Sequence, residues 1–399
     1  MRRVVVTGMG VVSPLGVGID TFWDGLINGR SGIRRITRFD PSPYPSQIAG
    51  ERLTPAGRFA QFGMAAARMA YDDAGLSGLR AANGFAVCVA SGASAVAEFQ
   101  EVLERIQARP MRRRDASTVV ESIGHALTNY AAVDLGLRGQ TMTLGSGCAS
   151  GVDAIQWACA QIGAGRIVGA LTGAADAPLA TSVHAAWGKL GWLSRWSGPP
   201  AQALRPYDAL SDGSVLGEGA GMYVLEDLEY SRARGARIYA EVLGYGSGTD
   251  SLDLRTVDPS GASLQAAMRG ALAEARLAPG EIDHVNAHGG GVPKHDRAES
   301  AAYRAVFGRH AYSIPITSIK AMIGQPFAAG GALQVVASCF SLAEQFVPPT
   351  MNHDIPAPEC DLDYVPGRGR PARVNRVLVT SRAIGPTHST VILGRPEDN

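Results

Sequence analysis

Thr141-Met142-Thr143-Leu144-Gly145-Ser146-Gly147-Cys148-Ala149-Ser150-Gly151-Val152-Asp153-Ala154-Ile155 reads as a strand, a sharp turn and a helix. Thr141–Leu144 is short and β-favouring, Val152–Ile162 is alanine-rich and apolar, and glycines punctuate the passage between them. The same phrase recurs along the chain. Val4-Val5-Val6 runs into Gly8-Met9-Gly10, Phe85–Ala90 into Ser91-Gly92, and Ile167–Leu171 into Thr172-Gly173, each read as a strand ending in a turn. Stretches such as Phe62–Ala70 read as packed helices. Strands alternating with helices predict an α/β fold in layers.

The phrase also repeats at long range. A helix ending at Asp73-Ala74-Gly75-Leu76 precedes the strand Phe85–Ala90; a helix ending at Ala275-Arg276-Leu277 precedes Ile282–Ala287 and the turn His288-Gly289-Gly290-Gly291. Val4–Gly10 and Tyr239–Gly246 each open a half, and Thr141–Ala160 is matched by Ile316–Phe340. Two similar α/β halves, 1–235 and 236–399, are expected. Their site lies where strand C-terminal ends converge.

Composition excludes several roles. In 399 residues, 37 Lys+Arg balance 36 Asp+Glu to a net charge of +1, which leaves no basic excess for nucleic acid. No apolar run reaches the ~20 residues of a membrane span. The apolar start is too short for a secretory signal. Five cysteines without CxxC spacing argue against a disulfide framework or a zinc site and fit a reducing cytoplasm. Gly8-Met9-Gly10 lacks the rest of a dinucleotide fingerprint and reads as a plain turn.

Cys148 is the nucleophile candidate. A glycine-flanked bend at a helix start surrounds a thiol with unpaired N–H groups and the positive helix end, which favours thiolate and can hold an oxyanion. Cys88, Cys159 and Cys339 sit inside apolar runs and read as buried thiols, and Cys360 reads as incidental. His288 follows a strand and opens a triple-glycine turn, so it is the imidazole candidate; His284 and His295 read as structural, and His388 is a weaker candidate. Lys320 is one of only three lysines (with Lys189 and Lys294). Set between Ile319 and Ala321, it needs a partner or a job.

These segments resemble the β-ketoacyl-acyl-carrier-protein synthases of the thiolase-like superfamily. The resemblance runs the whole chain in order: Arg3–Gly10 with Ser13-Pro14-Leu15-Gly16, Phe39-Asp40-Pro41, Gly147-Cys148-Ala149-Ser150-Gly151, Arg205-Pro206-Tyr207-Asp208, Gly217-Glu218-Gly219-Ala220, Val285-Asn286-Ala287-His288-Gly289 and Ser318-Ile319-Lys320. Gly147–Ile155 and Ala174–Pro178 look most like ketosynthase alpha subunits of type II polyketide synthases. The resemblance implies a five-layered α-β-α-β-α core and a ping-pong reaction. Cys148 takes an acyl chain from a carrier protein, malonyl-carrier protein loses CO₂, and the enolate attacks acyl-Cys148. It further implies an oxyanion hole at the amides of Cys148 and Ile384, docking of the acidic carrier at Arg205, and a dimer with Thr141–Leu144 near its interface. That dimer is a homodimer or a pairing with a chain-length-factor-like subunit. Arg112 and Arg113 are further docking candidates. No cofactor is implied beyond the phosphopantetheine that the carrier brings.

The departures cluster. The second family histidine is replaced by Gln325, the acidic partner of the lysine by Gln334, and two threonines after the first histidine by Gly290 and Val292. The family's glycine-rich gate reads Arg382-Ala383-Ile384-Gly385-Pro386-Thr387-His388. Three readings follow: a condensing enzyme with an altered decarboxylation site; a non-decarboxylative acyltransferase using acyl-Cys148; and a non-catalytic partner subunit, against which the retained Cys148 argues.

Overall fold

The structure, a computed structural model, describes residues 2–51, 58–78, 84–253, 256–383 and 387–396. Ten strands form its main sheet: β1 (Val4–Ser13), β2 (Phe85–Ala90), β3 (Thr141–Leu144), β4 (Gly169–Asp176), β5 (Gly219–Asp227), β6 (Ala240–Thr249), β7 (His284–Asn286), β8 (Ile316–Thr317), β9 (Arg376–Arg382) and β10 (Thr387–Gly394). Gly16–Val17 adds a short hairpin arm to β1. The order across the sheet is β8-β7-β9-β10-β6-β1-β5-β4-β2-β3. From the central β6–β1 pair, the outward order is therefore the same on both sides with five added to each number. Directions match as well: β1–β5, β5–β4, β6–β10 and β10–β9 are antiparallel, while β4–β2, β2–β3, β9–β7 and β7–β8 are parallel. Among the described residues the two sets are paired edge to edge by a three-residue ladder, Val4–Val6 against Ala240–Val242.

Helices fill three layers around these two five-stranded sets. α1 (Arg58–Asp73) and α2 (Ala126–Asp134) cover the outer face of the first set. α3 (Ser150–Gly163) and α6 (Ala328–Glu344) lie in the middle and touch strands of both sets. α4 (Ala262–Ala275) and α5 (Pro293–Phe307) cover the second set. α6 is predominantly apolar and buried from Ala328 to Leu342, as a helix in a central layer must be. The expected five-layered α/β architecture is present.

Glycines within strands carry much of this packing. Gly8 and Gly10 do not form the expected turn; they lie inside β1, and a Cβ there would come within 2.2 and 2.0 Å of the Ala70 and Ala66 carbonyl oxygens of α1. Gly244 and Gly246 inside β6 meet α4 in the same way, at 2.4 and 2.0 Å from the Ala271 and Ala267 oxygens. Thr172-Gly173 likewise lies within β4. The glycine signal marked close helix–strand approach rather than chain reversal.

Candidate functional site

Cys148 sits where β3 gives way to α3. Gly147 adopts φ 67, a conformation costly for any side-chain-bearing residue, and Gly147–Ala149 forms a single 3₁₀ turn leading into the helix. The Ser150 hydroxyl donates to the Gly147 carbonyl at 2.6 Å. The Ser381 hydroxyl of β9 donates to the Cys148 carbonyl at 3.1 Å, tying the Cys148 turn to the other half. Gly151 allows this closeness, since a Cβ would lie 2.2 Å from the Ala328 oxygen at the start of α6. The thiol is buried in an apolar cluster with Ile36, Leu179, Leu216 and Phe327, flanked by Trp187, and the Trp187 and Phe327 rings stack 4.9 Å apart. Cys88 and Cys339 are buried and pushed up to about 12 by desolvation, as inert core thiols should be. Cys360 is also buried, accepting from the Ser300 hydroxyl at 3.3 Å, rather than lying loose in its loop.

His288 leaves the end of β7, and its loop hangs on one buried carboxylate. Glu299 of α5 accepts the His288 N–H at 2.9 Å, the Gly289 N–H at 2.9 Å, the Tyr207 hydroxyl at 2.8 Å and the Tyr303 hydroxyl at 2.6 Å. The backbone N–H of Arg382 donates to His288 Nδ1 at 3.1 Å. Nδ1 is thus an acceptor, and the ring proton resides on Nε2. Burial, with the charges of Lys320 and Arg382 next in weight, holds the ring well below its usual range, so His288 is a neutral N–H donor at neutral pH. Consecutive residues therefore serve both candidates: Ser381 bonds to Cys148 and Arg382 to His288.

Lys320 is 1% exposed. Its Nζ donates to the His288 carbonyl at 2.6 Å and to Gln334 Oε1 at 3.1 Å. The Gln334 amide donates in turn to the carbonyls of Ala287 at 2.8 Å, Asn286 at 3.0 Å and Thr380 at 3.1 Å. With an amide in place of a carboxylate, burial dominates and brings the lysine down to about 8, despite the opposing charges of Glu299 and Cys148. Gln325 is buried beside it: Gln325 Oε1 and Lys320 Cε would each lie 3.6 Å from a Cβ at Gly330. The Oε1 atom has no hydrogen-bond partner. Asp176 is a further positioning group. It accepts from the Ser91 hydroxyl at 2.6 Å and from the N–H groups of Ala93 and Ala328, each at 2.8 Å, across the two halves, and burial raises it to about 6. Neither Glu299 nor Asp176 was predicted. Asp176 lay in a quoted motif, but nothing local marks either as a hub.

Other candidates fare differently. Ile384 lies outside the described residues. Arg205, expected to meet a carrier protein, is 4% exposed and occupied by Asp208 at 3.0 Å and Asp354 at 2.6 Å. Its guanidinium is buried and paired within the chain, which argues against the docking expectation. Arg112 and Arg113 are exposed at the start of the helix Arg113–Glu121. His284 bonds to Thr317 in the core. Gly290 and Val292 lead into α5 and offer no side-chain hydroxyl. Among the described residues no cluster suits a metal ion, and no helix is long and apolar enough to cross a membrane.

Comparison with known proteins identifies the family. Residues 1–62 and 51–231 match the model of the beta-ketoacyl synthase N-terminal domain, and 239–354 that of the C-terminal domain. The chain is 40% identical to a polyketide beta-ketoacyl synthase 1 from Streptomyces cyaneus, over 99% of this chain and 98% of that protein. It is 34% identical to the tetracenomycin polyketide synthase ketoacyl synthase alpha subunit of Streptomyces glaucescens, over 100% and 98%. Among solved structures, a type II polyketide synthase acyl-carrier protein in complex with its ketosynthase bound to the hexaketide superposes with a TM-score of 0.94 at 32% identity, over 99% of this chain and 100% of that one.

Proposed function

The chain belongs to the β-ketoacyl synthase family, and we propose that it transfers an acyl group from an acyl carrier protein to Cys148 and extends it by Claisen condensation in polyketide assembly, as an acyltransferase of the EC 2.3.1 type. The observation that carries this is the pairing made by Ser381 and Arg382: the Cys148 turn at the start of α3 and a His288 ring fixed as an Nε2–H donor.

The Cys148 thiolate attacks the carrier-bound thioester. A tetrahedral oxyanion forms against the Cys148 amide, with Ile384 as the expected second donor, and the pantetheine thiol leaves. In the second half-reaction malonyl-carrier protein loses CO₂, and negative charge develops on the thioester oxygen. His288 Nε2–H meets that charge as a neutral donor, without needing a second ring proton. Lys320, bonded to the His288 carbonyl, fixes the loop rather than the substrate. The enolate carbon attacks the acyl carbon, and the Cys148 thiolate departs. Gln325 can give one neutral hydrogen bond where the family has a second imidazole; loss of one such donor costs ~10²–10³ in rate, so decarboxylation is slow here. The two halves are 1–235 and 236–399. The protein pairs through its β3 edge with a second copy or a chain-length-factor-like subunit, Arg112 and Arg113 meet the acidic carrier, and the reaction takes place in the cytoplasm.

Gln325 also supports a second reading, in which acyl-Cys148 passes to a nucleophile without loss of CO₂. Incubation with acyl- and malonyl-carrier proteins, followed by intact mass and CO₂ measurement, separates the two. Condensation gives CO₂ and a chain two carbons longer; an acylated Cys148 without CO₂ supports the second reading.

A further inference from the structure

Phe327 holds a backbone conformation that its side chain does not favour. Its φ of 47 and ψ of −123 belong to the first corner of a type II′ turn, where glycine is at home, and a bulky residue there is strained. Three contacts keep it in place. The Ala328 N–H donates to Asp176 Oδ2 at 2.8 Å, the Gly330 N–H donates to the Phe327 carbonyl at 3.1 Å, and the ring stacks on Trp187. Asp176 anchors the facing loop as well, accepting from the Gly92 N–H at 2.9 Å and the Ala93 N–H at 2.8 Å. One buried carboxylate therefore fixes both sides of the strained residue. Gly92 is wedged between Phe327 and the turn before Cys148: a Cβ there would lie 3.2 Å from Phe327 Cβ and 3.5 Å from the Gly147 carbonyl carbon.

Glycine at 327 would relieve the strain, so what phenylalanine contributes is its ring. Cys148 is 4% exposed, and Ile36, Leu179, Leu193 and Leu216 of its cluster are no more than 3% exposed. Among the described residues around the thiol, the enclosure loosens along one side, where Gly92 is exposed and Trp187 half-buried. Phe327 spans that side, with its Cβ against Gly92 and its ring on Trp187. An acyl chain on Cys148 has to find room there, because extra methylenes do not enter an interior that is already filled. The side chains of the cluster are apolar, and an unpartnered carbonyl or hydroxyl buried among them is costly.

We infer that Phe327 is a specificity-determining residue that restricts Cys148 to short, apolar acyl groups, and that Asp176 is the positioning residue that holds it. The inference rests on the acyl-Cys148 reading above. A short acyl group stays ahead of the ring. A long one has to push the ring aside, which breaks its stack on Trp187 and works against the grip of Asp176 on Ala328.

The test offers the full chain an equimolar mixture of acetyl- and octanoyl-N-acetylcysteamine and reads the two protein adducts by intact mass at early times. In each case the Cys148 thiolate attacks the thioester carbon, a new carbon–sulfur bond forms, and N-acetylcysteamine leaves as its thiol. The ratio of the adducts does not depend on how much of the protein is folded. Wild type should favour acetyl by about 10²-fold. Phe327→Ala should shift the ratio toward octanoyl by about 10-fold or more. Phe327→Leu, which keeps an apolar side chain in the core, should shift it the same way by a smaller factor. Asp176→Asn, which keeps the shape of the carboxylate but withdraws one acceptor, should also shift it toward octanoyl. Wild type that takes octanoyl as readily as acetyl, or a ratio unchanged in both Phe327 variants, would overturn Phe327 as the determinant. A ratio unchanged in Asp176→Asn would overturn the role of Asp176. Failure of the wild type to acquire either adduct would instead overturn the acyl-Cys148 reading, and this inference with it.

Discussion

The strand–turn–helix at Thr141–Gly163 and its counterpart at Ile316–Glu344 occupy equivalent places in the two halves, yet they are equipped for opposite tasks. Each has an edge strand of its set, β3 or β8, a turn, and a central helix, α3 or α6. In the first, Gly147 bends the chain so that Cys148 stands at the helix start. In the second the turn is longer. It buries Lys320 and Gln325, and Phe327 takes φ 47 just before α6 begins. One frame therefore presents the proposed nucleophile, and its repeat places a buried lysine and amide in the equivalent turn. Architecture is set by strand order and helix packing, which the halves share; chemistry is set by the few turn residues, which they do not. The turns meet because the helix starts nearly touch at Gly151 and Ala328.

The sharpest way to break the asymmetry is to remove the nucleophile. Cys148→Ala should abolish covalent loading and all product, measured by intact mass and by product formation, with the melting temperature little changed. A loaded Cys148→Ala protein would mean that the two turns are not divided as described.

The next largest effect concerns the second turn. Gln325→His restores an imidazole donor where an amide now stands, and CO₂ release from malonyl-carrier protein should rise by about 10²-fold. No change would place Gln325 outside the reacting group.

The shared frame makes a stability prediction. Gly10→Ala and Gly246→Ala each put a Cβ 2.0 Å from a helix carbonyl oxygen, of α1 and α4 respectively. Each should cost about 1–3 kcal/mol by overpacking in denaturant unfolding, with similar values for the pair. A large inequality would show that the halves are equivalent in topology but not in packing.

The smallest effect is electrostatic. Lys320 titrates at about 8 in the folded protein against a usual 10.5. Between those pH values the unfolded chain holds a proton that the native state has lost, so this group adds stability as pH rises and withholds it below about 8. Gln334→Glu gives the lysine a counter-charge and raises its titration, so it should flatten that rise in pH-dependent melting curves. An unchanged slope would remove Gln334 as the cause.

Much of this was legible in the sequence, for physical reasons. The nucleophile's turn announces itself locally, because bending a strand into a helix at Cys148 needs glycine and the helix needs a run of small apolar residues. The repeat was visible because each half must bury the same kind of strand and helix. The glycines within β1, β4 and β6 misled: a residue without a side chain serves a turn and a close helix contact equally, and only the partner helix, dozens of residues away, decides between them. Arg205 misled for a similar reason, since its Asp354 partner is 149 residues distant. The hubs Glu299 and Asp176 depend on long-range juxtaposition that no local pattern carries.

The most direct measurement of the central claim is a two-step mass experiment on the wild-type protein. It is loaded from acyl-carrier protein, digested and mapped, and a parallel sample is then given malonyl-carrier protein. The acyl mass should appear on the peptide containing Cys148 and disappear on the second addition, with CO₂ released and a chain longer by one two-carbon unit on the carrier. An acyl group found on any other residue, or no acylation at all, would contradict the account.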